Sequence, residues 1–126
     1  MKALVIDDST SQRLAIQRAL SRAGYNVITA GDGEAGLQAV QETRPDIIVL
    51  DILLPRISGV DVLRVLRQEQ ATKEVPVIVL TGLSAKNKEK LISEGATVFL
   101  EKSQVLSNGD CAALVGVVNQ FKPERK

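Results

Sequence analysis

Three aspartates, a threonine and a lysine stand where short apolar runs end. Asp7 and Asp8 directly follow Ala3-Leu4-Val5-Ile6, Asp51 follows Ile47-Ile48-Val49-Leu50, Thr81 follows Val77-Ile78-Val79-Leu80, and Lys102 lies two residues past Val98-Phe99-Leu100. Taken singly each has an ordinary explanation, because strand ends and helix caps commonly carry such residues. Taken together they describe chemistry. Three carboxylates in one crevice repel one another and stay ionised only when a cation or an ammonium neutralises them. The chain has no histidine and one cysteine, so the available ligands are hard oxygens. Mg²⁺ suits them, keeping several waters and leaving positions for a phosphate oxygen. Asp51 can then act as a carboxylate nucleophile toward phosphorus, with Lys102 and the Thr81 hydroxyl binding the remaining equatorial oxygens. The product would be an aspartyl phosphate.

For these groups to meet, the apolar runs must lie side by side. They are apolar without alternation, as strands of a parallel sheet covered on both faces are; Asn26 to Ala30, after Gly24-Tyr25, is a weaker fifth candidate. Helical spacing fills the gaps. Ile16, Ala19, Leu20 and Ala23 stand at i, i+3, i+4, i+7, as do Gly59, Val62, Leu63 and Leu66, and Cys111, Leu114, Val115 and Val118. Weaker stripes run over about Gly33 to Thr43 and Lys86 to Glu94. Ser9 to Ser11 and Ser58 offer N-caps, Gly24 and Gly95 are stops, and Pro45 follows the second helix. Five alternations of strand and helix call for right-handed crossovers and an open, doubly wound parallel sheet in a three-layer α/β sandwich. In such a sheet ligands bind beyond the carboxyl ends of the strands, the rim on which all five residues fall.

Composition bounds the rest. The 126 residues, 16 basic and 15 acidic for a net charge of +1, predict one domain that buries roughly two-thirds of its unfolded surface. So even a balance argues against charge-driven capture of nucleic acid or of an anionic membrane. One cysteine excludes a disulfide within the chain, and the lack of histidine excludes imidazole-based metal sites and acid–base catalysis. No apolar run approaches the ~18 residues of a membrane span, and the first is too short for a signal peptide; a cytoplasmic protein without membrane insertion is expected. The tail from Lys122 to Lys126 is polar and expected to fray, and Cys111 reads as buried core.

As an ordered set, several motifs resemble the receiver (CheY-like) domain of two-component response regulators over nearly the whole chain. They are Asp7-Asp8, Ala30-Gly31-Asp32-Gly33-Glu34-Ala35, Asp51 with Pro55 and Gly59, Thr81-Gly82, and Gly95-Ala96 leading to Phe99 and Lys102. The resemblance implies a receiver over residues 1–121, a tail over 122–126 and the flavodoxin-like strand order 2-1-3-4-5. It implies that Asp51 accepts a phosphoryl group from a histidine kinase or phosphotransfer protein. Mg²⁺ would be held directly by Asp8, mainly through water by Asp7, and by Asp51 and the backbone carbonyl of Leu53. Thr81 and Phe99 would form a switch pair, repacking the face of the fourth helix, fifth strand and fifth helix for a downstream protein target. Catalysis would be limited to the chain's own phosphorylation and dephosphorylation. Output through protein contacts is expected, from either a single-domain regulator or a receiver cut from a longer chain.

Four departures modify that expectation. Ser103 replaces the family's usual proline, often cis, after the lysine; a cis bond without proline costs ~3 kcal/mol, so a trans bond and a different local loop are expected. Thr97 and Val98 replace a commonly acidic pair. Leu53 and Leu83, two residues past Asp51 and Thr81, are apolar and predict slow self-dephosphorylation by excluding an oriented water. Phe99 lacks a tyrosine hydroxyl, so its switch would be packing alone. Lys86, Lys88 and Lys90 lie toward the output face and could meet an acidic partner, although a solvated helix face is the plainer reading.

Three rival readings explain less. Gly31-Asp32-Gly33-Glu34-Ala35-Gly36 satisfies G-x-G-x-x-G after an expected strand, but a dinucleotide site leaves Asp7, Asp8, Thr81 and Lys102 unused, and Asp32 and Glu34 would repel a pyrophosphate. Aspartate-nucleophile phosphatases resemble Asp-x-Asp, where Leu53 here replaces the second acid. A receiver reduced to an interaction module would not need the intact acidic trio.

Overall fold

A computed structural model describes residues 1–82, 88–103 and 111–121. The described elements are β1 (Lys2–Ile6), α1 (Thr10–Arg22), β2 (Asn26–Ala30), α2 (Gly33–Thr43), β3 (Ile47–Asp51), α3 (Gly59–Gln68), β4 (Val77–Thr81), α4 (Lys88–Ser93), β5 (Val98–Glu101) and α5 (Ala112–Asn119). The strands form one parallel sheet in the order β2-β1-β3-β4-β5, the topology anticipated above. Successive side chains of a strand point to opposite faces, and here both faces are covered. Leu4, Ile6, Ile48, Leu50, Val77, Val79 and Phe99 join Val40 of α2, Val62, Leu63 and Leu66 of α3 and Leu91 of α4 in one core. Ala3, Val5, Ile47, Val49, Ile78 and Leu80 join Ile16, Ala19 and Leu20 of α1 and Leu114 and Val118 of α5 in the other. The central strands are therefore uniformly apolar. β2 lies at the edge and is only partly buried, which is why its apolar signal is weak.

Helix ends follow the local chemistry. Ser9 caps α1 by accepting from the Gln12 N–H at 3.4 Å, Asp32 caps α2 from Ala35 at 2.8 Å, and Ser58 caps α3 from Asp61 at 3.3 Å. Gly95 takes φ +116° after α4, a conformation that favours glycine. Two stripe positions are corrected: Ala23 is the C-cap of α1, and Cys111, though buried, precedes α5 at φ 55° instead of forming its first turn. Glu94 likewise falls after α4, whose last residue is Ser93. No cis peptide occurs among the described residues, and the Lys102–Ser103 bond is trans. Leu83, Lys86 and the tail 122–126 lie outside the described residues. No described helix is long and apolar enough to cross a membrane.

Candidate functional site

The acidic crevice is produced by side-chain alternation at the carboxyl ends of adjacent strands. Asp51 ends β3 with the same parity as Ile47 and Val49, so its side chain turns toward the α1–α5 layer. Asp7 continues β1 with the parity of Ala3 and Val5, and its N–H extends the ladder by donating to the Ala30 carbonyl at 3.1 Å. Lys102 continues the parity of Leu100 beyond β5. β1, β3 and β5 therefore aim two acids and a lysine at one point, and Asp8 completes the trio: one carboxylate oxygen from each of Asp7, Asp8 and Asp51 lies within 4.8 Å of the others. Asp7 and Asp51 are buried, whereas Asp8 is exposed.

Each buried carboxylate is held at one oxygen by backbone and turned at the other toward the lysine. Asp7 Oδ1 accepts from the Ser9 N–H at 2.9 Å, and Asp51 Oδ1 from the Leu53 N–H at 3.0 Å. Lys102 Nζ lies 2.9 Å from Asp51 Oδ2 and 3.2 Å from Asp7 Oδ2. Burial pushes the Asp51 carboxyl above its ordinary pKa, against the opposing pull of Lys102 and the Leu53 N–H. Burial works against the Lys102 charge too, but the Asp51 and Asp7 carboxylates outweigh it and raise the ammonium pKa. One ammonium cannot neutralise three carboxylates. The Asp7 Oδ2 atom, buried and facing Lys102, accepts no aligned hydrogen bond among the described residues. An all-oxygen donor set with surplus negative charge and an unsatisfied buried oxygen fits a hard divalent cation.

The loop after β3 is built to hold Asp51 in place. The Gly59 N–H donates to the Ile52 carbonyl at 3.0 Å. A Cβ at Gly59 would stand 2.5 Å from both the Asp51 carbonyl oxygen and Ile52 Cα, so only glycine lets α3 begin this close to the acid. Arg56, at φ 64°, ties the same loop to Asp32 at 3.5 Å.

Of the residues singled out from sequence, Asp7, Asp8, Asp51 and Lys102 are brought together. Thr81 is buried at the end of β4, opposite Glu101, and shares the parity of Val77 and Val79; it therefore faces the α2–α4 layer. Phe99 is buried on that same face, in register with Val79 and clustered with Leu91 and Ala96. The Leu53 side chain is 55% exposed, and it is the Leu53 backbone that touches Asp51. Two participants escaped the sequence reading. Gln12 Oε1 accepts from Lys102 Nζ at 2.5 Å, and Arg13 Nη1 donates to the Asp7 backbone carbonyl at 2.7 Å. Both stand in the first turn of α1, immediately after the acidic pair and its Ser9 cap, which was the available signal. The G-x-G-x-x-G stretch has a packing explanation. Asp32 Oδ1 occupies the α2 N-terminus by accepting from Ala35, and a Cβ at Gly36 would meet Ile6 Cδ1 at 2.5 Å.

Comparison with known proteins points the same way. Residues 3–108 match the response regulator receiver domain. The chain is 43% identical over 81 residues to the alkaline phosphatase synthesis transcriptional regulatory protein PhoP of Bacillus subtilis, covering 64% of this chain and 33% of that protein. It is 34% identical over 125 residues to the response regulator MprA of Mycobacterium avium, covering 98% of this chain and 54% of that one. The chain thus spans between a third and about half of these relatives' length. Among solved structures, the chemotaxis protein CheY4 of Vibrio cholerae superposes with a TM-score of 0.84 at 30% identity, covering 96% of this chain and 98% of that one. A response regulator protein from Burkholderia multivorans does so with a TM-score of 0.75 at 35% identity, covering 99% and 98%. With the strand order already established and the family match extending over most of its length, the chain belongs to the response regulator receiver domain family.

Proposed function

We propose that Asp51 is the phosphoacceptor of a phosphorylation-controlled switch. The observation that carries this reading is the buried Asp51 carboxylate, fixed by the Leu53 N–H at one oxygen and by Lys102 at the other, within an acidic trio that a single ammonium leaves underneutralised. The donor is the phosphohistidine of a histidine kinase or phosphotransfer protein. Its P–N bond breaks with the electron pair returning to the imidazole nitrogen, while an Asp51 oxygen forms the new P–O bond. Asp7, Asp8, Asp51 and the Leu53 backbone carbonyl would hold Mg²⁺, which when bound neutralises the phosphoryl oxygens and orients them. Asp51 supplies the nucleophile, the Leu53 N–H keeps its carboxyl plane oriented, and Lys102 exchanges a carboxylate oxygen for a phosphoryl oxygen.

Asp51 pairs with Leu80, so the ends of β3 and β4 adjoin. The new phosphoryl charge, near −2, stands beyond those ends and draws the Thr81 hydroxyl over the rim from the other face. Phe99 lies on the same face of the sheet as Thr81, so a shift of one repacks against the other and alters the surface of α4, β5 and α5. That surface meets a downstream protein target. Family membership supports a cytoplasmic setting and output through protein contact. Incubating the chain with acetyl phosphate and Mg²⁺ and reading the intact mass tests the proposal. One added phosphoryl group is expected, lost in Asp51→Asn and on chelation of the metal; an unmodified wild-type chain would refute it.

A further inference from the structure

Lys102 Nζ has three attachments among the described residues: hydrogen bonds to Asp51 Oδ2 at 2.9 Å and Gln12 Oε1 at 2.5 Å, and an ion pair with Asp7 Oδ2 at 3.2 Å. An ammonium has three N–H donors and no acceptor, and two of them are taken by Asp51 and Gln12. Two of the attached groups belong to the acidic trio. The third is an uncharged amide on α1 that contributes nothing to the trio's charge. A divalent cation taken up by the acids competes with the ammonium for the same carboxylates and repels it, so it weakens two of the three attachments. The remaining one is Gln12. The Lys102 side chain is only 15% exposed, and its four-carbon stem has several rotamers open to it once the head group is released.

We infer that Gln12 is a positioning residue for Lys102: its amide oxygen keeps the ammonium at the crevice when the carboxylates are taken by the cation, within reach of the phosphoryl group that Asp51 receives. This rests on the phosphoacceptor reading above. Gln12 is not among the acids that would hold the cation; it acts through the lysine. A methionine at position 12 would keep the side chain's length while removing the acceptor, and a glutamate would keep an acceptor at the same reach.

The test uses the whole chain with Mg²⁺ at saturation. The ¹H–¹⁵N correlation of the Lys102 ammonium, assigned by its loss in Lys102→Met, is expected to persist in the wild type, to disappear into solvent exchange in Gln12→Met and to return in Gln12→Glu. The rate of phosphorylation by acetyl phosphate is expected to fall about tenfold in Gln12→Met, the scale of one charge-assisted hydrogen bond, and to fall no further when the same change is made in the Lys102→Met background. An ammonium signal as persistent in Gln12→Met as in the wild type would overturn the inference. So would an equal loss of rate with Lys102 absent, which would make Gln12 merely structural. A wild type that phosphorylates normally alongside an unaffected Gln12→Met sinks only the role of Gln12; a wild type that takes no phosphoryl group sinks the phosphoacceptor reading with it.

Discussion

Replacing Gly59 by alanine probes how the fold holds its acid. The added Cβ would lie 2.5 Å from the Asp51 carbonyl oxygen, 2.5 Å from Ile52 Cα and 3.0 Å from Ile52 Cδ1. Two of these three atoms are backbone of the strand end that carries the phosphoacceptor, so neither can rotate away. Relief requires α3 to withdraw or the end of β3 to bend. Overpacking of this kind costs about 1–3 kcal/mol, offset by less than ~1 kcal/mol from alanine's higher helix propensity at the first helical position. A net loss of about 1–2 kcal/mol corresponds to a fall in Tm of roughly 4–8 °C for a domain of this size. Gly116 is the control: it is exposed within α5 with nothing near its would-be Cβ, so Gly116→Ala should gain ~0.5–1 kcal/mol. Urea unfolding followed by circular dichroism reads both, and phosphorylation by acetyl phosphate reads the site. Gly59→Ala should lower the midpoint at unchanged m-value and slow phosphorylation in the remaining folded protein, because the Leu53 N–H and the Asp51 carboxylate move together. A midpoint for Gly59→Ala equal to or above that of the wild type, with full phosphorylation, would refute the steric reasoning.

Arg67 donates to the carbonyls of Gly95 at 2.8 Å, Val75 at 2.7 Å and Thr72 at 3.1 Å and to the Thr97 hydroxyl at 3.3 Å, at the end of the sheet opposite the acids. Arg67→Met should cost about 2–4 kcal/mol by leaving those carbonyls unpaired, with Mg²⁺ affinity unchanged in calorimetric titration; a shifted affinity would show that the two ends are coupled. The phosphorylated chain should persist for minutes or longer, because Leu53 offers no polar group to orient a water, and Leu53→Asn should shorten that time; phosphoryl loss within seconds in the wild type contradicts this. The Arg64 guanidinium, 2.8 Å from Glu94, holds that carboxyl below its usual value. A carboxyl with a depressed folded pKa stabilises above its unfolded pKa of about 4.3 and loses that contribution as pH falls through the folded value. Arg64→Gln should therefore flatten the acid limb of the stability curve, and an unchanged slope in pH-dependent melts would show that solvent screens the pair.

Much of this molecule is legible locally. Uniform apolar runs, helical spacing, serine caps and glycine stops depend on neighbours within a few residues, and they locate β1, β3, β4, α1 and α3 from the chain alone. The acidic residues at strand ends are legible for the same reason, because a sheet of this class gathers those ends on one rim. Tertiary structure decides what no local pattern carries. Lys102 reaches Asp51 across 51 positions and Gln12 across 90, contacts that exist only once β3, β5 and α1 have been laid beside one another. The burial of Asp7 beside an exposed Asp8 and the placing of Thr81 and Phe99 on the face opposite Asp51 and Lys102 follow from strand parity combined with which helices cover which layer. Periodicity in the chain records that a residue alternates, but the side to which it turns is settled by the crossovers that dock α1 and α5 on one face and α2, α3 and α4 on the other.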